Sequence, residues 1–162
     1  MSSNIEHAIE SVWDYPRPPR IEPIEAEVVV RFGVTEIART TGAFRVLETS
    51  HPPSVYLPRA AFAAGALVRA QARATICEWK GQATYWDIVA GDARAAAAAW
   101  SYEHPTPAFA QIGGCVSLYP GRMDQCTIAG ETVTAQEGDF YGGWITANIR
   151  GPFKGVPGTR GW

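Results

Sequence analysis

This chain has no CxxC pair, no basic surplus, no long apolar run and no Asp-x-Asp couple. Each gap removes a class of function. Cys77, Cys115 and Cys126 are odd in number and widely spaced, which fits neither a secreted disulfide framework nor paired zinc knuckles. Reduced thiols and no metal site are expected, with Cys115 and Cys126 as small buried hydrophobes; His51, Cys77 and Cys126 are the one composite metal set left to weigh. A formal net charge of −2 offers no field for phosphate backbones, so nucleic acid is not an expected partner. Residues 1–20 hold no apolar signal core and no run approaches membrane-spanning length, so the chain reads as cytoplasmic.

Nucleotide chemistry fails on spacing. Asp14, Asp87, Asp92, Asp124 and Asp139 form no pair able to share a magnesium ion. In the closing GPFKGVPGTRGW, Lys154 stands ahead of Gly155 and Gly158 and Pro157 intrudes, which is not P-loop order. No cofactor is expected.

What the chain does have is strands. A length of 162 residues suits one domain. Residues 1–24 read as a proline-rich arm pinned by Trp13 and Tyr15, and 25–162 as one mostly-β domain. EAEVVVRF, VTEIA, FRVLE and SVYL alternate as a meander, followed by ARATICEW, QATYWDIVA, CVSLYP, QCTI and ETVT. Short helical turns are expected near 59–64 and 106–111. The alanines at 95–99 leave helix and strand both open, and everything after Gly138 reads as loop.

ETSHPPSVYLP, CEWKG, AAWSYEHPTPAF, YPGRMDQC, EGDFYGGWIT and GPFKGVPGTRGW together resemble the bacterial domain-of-unknown-function 427 family. The resemblance runs from DYPRPPR to the last Trp. It implies a β-tent-like two-sheet domain, as in methionine sulfoxide reductase B and the drug-binding domain of cereblon, and carries no established activity. A nucleotidyltransferase-like label sometimes given to the family has no support in the carboxylate spacing above.

The segment TICEWKGQATYW concentrates the chemistry. With Lys80–Gly81 as a two-residue turn, Cys77 faces Thr84 and Thr75 faces Trp86, which separates Cys77 and Trp79 from Glu78 and Tyr85. Aromatic residues exceed what a core of this size needs, and rings with a few polar groups make a ligand pocket. The expected function is therefore small-molecule binding. Tyr56, Tyr85, Trp100, Tyr141 and Trp144 would line the pocket, with Glu48, His51, Glu78 and Lys80 as polar groups and Lys154 either solvated or turned inward. Glu78, Lys80 and Tyr85 would carry the chemistry, with Cys77 structural. The alternative is a small enzyme acting through Cys77 with His51 or Lys80. The small molecule is unidentified, and a homodimer stays open.

Overall fold

Three successive valines, Val28 to Val30, alternate between buried and half-buried positions, as a strand with one face on a core must. The computed structural model describes residues 8–71, 75–77 as backbone, 80–137 and 142–154. Its strands are β1 (Glu10–Ser11), β2 (Arg20–Pro23), β3 (Val28–Phe32), β4 (Thr35–Thr40), β5 (Phe44–Leu47), β6 (Ser54–Tyr56), β7 (Leu67–Arg69) and β8 (Thr75–Cys77). They continue as β9 (Gly81–Ala90), β10 (Ala93–Ser101), β11 (Val116–Leu118), β12 (Gln125–Ile128), β13 (Glu131–Thr132), β14 (Thr134–Ala135), β15 (Trp144–Ile145) and β16 (Ile149–Arg150).

Two sheets form the body. The larger joins β2-β5-β6 to β11-β10-β9-β7 through a bridge between Leu57 and Val116, with β8 also on β9. The smaller runs β13-β12-β3-β4. Between them Val28, Val30, Val55, Leu57, Ile88, Ala99, Val116, Leu118 and Trp144 make the main core. The chain is thus a mostly-β, two-sheet domain with short 3₁₀ turns at Arg59–Ala61 and Pro107–Ile112, near the expected positions.

Four local readings need correction or completion. The alanine run is strand, because β10 is paired on both sides and Ala97, at φ +49°, belongs to an irregularity between Ala95 and Ala99. Asp87 fixes it, accepting Ala97 N–H at 2.7 Å and the Arg94 guanidinium at 2.6 Å. Strand pairing begins ahead of Glu25, at Glu10 in β1 and at Arg20 in β2, and Pro23 is tolerated because β2 is an edge strand. The tail after Gly138 is not all loop, since β15 pairs with β14 and β16 pairs in parallel with β1. Finally, Cys77 lies opposite Gly81, Ile76 opposite Gln82 and Thr75 opposite Ala83. That register differs by three residues from the expected two-residue turn and places Gly81 inside the ladder.

Candidate functional site

Alternation along β10 sends Ala99 toward the main core and Trp100 and Tyr102 to the opposite, outer face of the large sheet. Register builds a row there. Trp100 lies opposite Tyr85 on one side and Ser117 on the other. The Leu57–Val116 bridge brings Tyr56 beside Ser117, so the Trp100 indole N–H reaches the Tyr56 hydroxyl at 3.3 Å. Ser117 is fully buried, and its hydroxyl has no hydrogen-bond partner among the described residues. Tyr119 tilts against Trp100 at 4.7 Å and 52°, and burial, then the neighbouring Tyr85, pushes its phenol pKa up.

Lys80 joins this layer. It is 8% exposed, with Nζ 5.9 Å from the Tyr102 ring centre and 5.8 Å from that of Phe109, an arrangement in which ring faces attract the cation. Its position is set by backbone. Thr106 N–H donates to the Lys80 carbonyl, and Gly81, at φ +105°, lies against the His104 carbonyl where a side chain would be strained. Over Trp100 the chain passes as Gly142, since a Cβ there would meet the indole at 2.3 Å.

A second group of expected residues gathers on the turn between β5 and β6. His51 N–H bonds to the Glu48 carbonyl at 3.0 Å, and Ser50 holds φ +69°. The His51 ring Nδ1 is 2.9 Å from the Thr49 carbonyl and 4.0 Å from a Glu48 oxygen. Burial is the largest influence on His51 and lowers its pKa; the Thr49 carbonyl and Glu48 oppose this, while Lys154 and Arg17 add to it. A carbonyl can only accept, so neutral His51 carries its proton on Nδ1 and presents Nε2 as an acceptor. Lys154 is tied in through backbone. Its N–H donates to Ser50 and its carbonyl accepts from Gln136, whose Oε1 accepts Gly143 N–H at 3.0 Å.

The structure therefore brings Tyr56, Tyr85, Trp100 and Lys80 together, and Glu48, His51 and Lys154 together, with residues 142 and 143 running from one group to the other. Trp144 is elsewhere. It is 1% exposed in the main core and donates its indole N–H to the Leu118 carbonyl at 3.2 Å. Glu78, Tyr141 and the Cys77 side chain lie outside the described residues. Phe109 and Ser117 belong to the outer layer without having been expected there; the period-two spacing of CVSLY against AAWSY was the available signal for Ser117.

The profile of a domain of unknown function, DUF427, matches residues 20–129, which is more than half of the chain. The chain belongs to that family. Nothing among curated proteins matches it. In this DUF427 member the matched residues include Glu48, His51, Tyr56, Lys80, Tyr85, Trp100 and Ser117, whereas Gln136, Trp144 and Lys154 lie beyond them.

The same DUF427 chain has a cleft of about 720 Å³ at the other face of the sheet, where the two sheets part. Ile24, Val55, Ile128 and Trp144 form its apolar wall. Arg45, on β5, lies opposite Glu22 on β2 and is held between Glu22 at 2.7 Å and Glu10 at 2.9 Å. Tyr15 also donates to Glu10, and burial, then that carboxylate, raises its phenol pKa. None of these ion-pair residues was expected, because only the pairing of RIEP with FRVL shows that they meet. Among the described residues, no group of three His, Cys, Asp or Glu could hold a metal ion, and no helix is long and apolar enough to cross a membrane.

Proposed function

We propose that this DUF427 chain is a small-molecule-binding domain whose pocket opens on the outer aromatic layer beside the CEWKG segment. The observation that carries the reading is Lys80, a cation buried on the rings of Tyr102 and Phe109 next to the Trp100–Tyr56 pair. A buried cation beside ring faces and a hydrogen-bonded indole–phenol pair offers both charge and apolar surface to a small molecule. Glu48, His51, Glu78, Tyr141 and Lys154 complete the proposed polar and aromatic set. In this reading the protein works in the cytoplasm, without nucleic acid or membrane. Native mass spectrometry of protein purified without added ligand tests it, and the same spectrum reads the homodimer. A retained small molecule in wild type, absent in Lys80→Met at unchanged melting temperature, is expected. Retention by Lys80→Met removes the reading.

One observation favours a second reading, an enzyme acting through Cys77 with His51 or Lys80: neutral His51, its proton on Nδ1, is set up to accept a proton at Nε2. Alkylation of Cys77 across pH separates the two. A thiol reacting as thiolate below the ordinary value of ~8.5 supports the enzyme, and one that resists until unfolding supports the binding domain.

A further inference from the structure

The cleft on the inner side of the large sheet belongs to neither reading above. Its volume of about 720 Å³ lies in the range of small-molecule sites. Its polar lining is one-sided. Glu10, Glu22, Glu25 and Glu131 face it against Arg45 alone, four negative charges to one positive.

The side-chain donors in the lining are turned onto the protein itself. Arg45 directs Nε, Nη1 and Nη2 at Glu10 and Glu22. The Thr146 hydroxyl donates to Asn148 Oδ1 at 2.6 Å, and Asn148 Nδ2 donates to the Ala8 carbonyl at 3.2 Å. Acceptors are left over. Glu25, exposed at the rim, has no hydrogen bond or ion pair among the described residues. Glu131 uses one oxygen to accept Ala147 N–H at 2.6 Å, which aims the carboxylate. An occupant must therefore bring donors and positive charge.

It must also bring apolar surface, because Ile24, Ile128 and Trp144 form the wall below the rim carboxylates. A bare metal ion does not match, since no three acidic side chains among the described residues converge closely enough to hold one. A carboxylate ligand would meet net repulsion.

We infer that this cleft binds an organic ammonium, its protonated amine at Glu25 and Glu131 and its apolar body along Ile24, Ile128 and Trp144. Low-dielectric walls around a single-sign rim concentrate the attraction. Binding here is independent of the outer face.

The probe is phenethylammonium, titrated into the 15N-labelled full chain at moderate salt, with 2-phenylethanol as its neutral counterpart and calcium chloride as a metal control. Saturating shifts at the Trp144 indole N–H and the Gly130 amide are expected, with affinity at least tenfold weaker in the Glu25→Gln/Glu131→Gln variant. Both substitutions sit at the exposed rim, and an unchanged melting temperature shows that the fold is kept. Four results overturn the inference: equal binding of 2-phenylethanol, unchanged affinity in the variant, competition by stoichiometric calcium, or no saturating shift at those two positions.

Discussion

On the inner face of the large sheet, β10 and β11 present Ala99, Val116 and Leu118 to a second sheet. On the outer face the same strands present Trp100, Tyr102, Ser117 and Tyr119, covered by the Pro107–Ile112 turn and by loops. Small aliphatic residues suffice where sheet meets sheet, because interdigitation fills the space. Rings with polar tips are placed where no sheet arrives, and their N–H and O–H groups need partners. The inner face also changes character along its length. It is dry at Leu57 and charged at Glu22 and Arg45, where the sheets part. The fold thus carries two polar regions on opposite sides of one sheet, one a buried aromatic layer with a cation and the other an open acidic mouth.

The largest expected effect belongs to the buried ring beneath the acidic mouth. Trp144→Ala should destabilise by about 3–5 kcal/mol in urea denaturation, as removal of a large core ring does. A loss near zero would mean that Trp144 belongs functionally with the outer aromatics after all. Gly142→Ala should come next, at about 1–3 kcal/mol, because its methyl group must displace the Trp100 indole. It should also abolish retention of any co-purified ligand, which Trp144→Ala at matched folded fraction should not. Arg45→Met should cost about 1–2 kcal/mol by leaving Glu10 and Glu22 facing one another, and less in high salt. A larger cost than that of Gly142→Ala would make the acidic mouth mainly a structural joint.

The smallest effect is one of pH. Burial holds the His51 pKa below its ordinary value of 6.5, so on acidification the unfolded chain takes up the proton first. The stability tied to neutral His51 is complete above that value and declines as pH falls from 6.5 toward the folded pKa. Denaturation midpoints of wild type and His51→Gln should keep a constant gap above pH 7 and converge below it. A gap that widens on acidification would mean that the ring is charged in the folded protein.

Alternation made much of this legible in the sequence. VVVRF, FRVL and SVY are strands, and the two short helical turns follow Pro58 and Thr106 as proline chemistry suggests. The hairpin was misread because Gly81 looked like a turn residue; its left-handed φ is real but sits in the ladder, opposite Cys77. Helix propensity could not settle Ala95–Ala99, since pairing with β9 and β11 overrides it. Trp144 could not be assigned to a face because β15 pairs only with the short β14. The acidic mouth depends on Arg45 meeting Glu22 and Glu10, residues 23 and 35 positions away, which no local pattern encodes.

The parallel ladder of β1 with β16 joins Glu10 to the level of Ile149 and so closes a loop of nearly the whole chain. Loop-closure entropy grows only logarithmically with length, so this ladder weighs little on equilibrium stability. On the folding rate it weighs differently, since a contact of such sequence separation forms after the sheets between its strands exist. The Glu10 amide, bonded to the Asn148 carbonyl at 2.8 Å, is then among the first in the ladders to exchange with deuterium, by local opening rather than global unfolding. Each such opening also takes the Glu10 carboxylate away from Arg45, so the acidic mouth rearranges its charges on the timescale of a fraying strand.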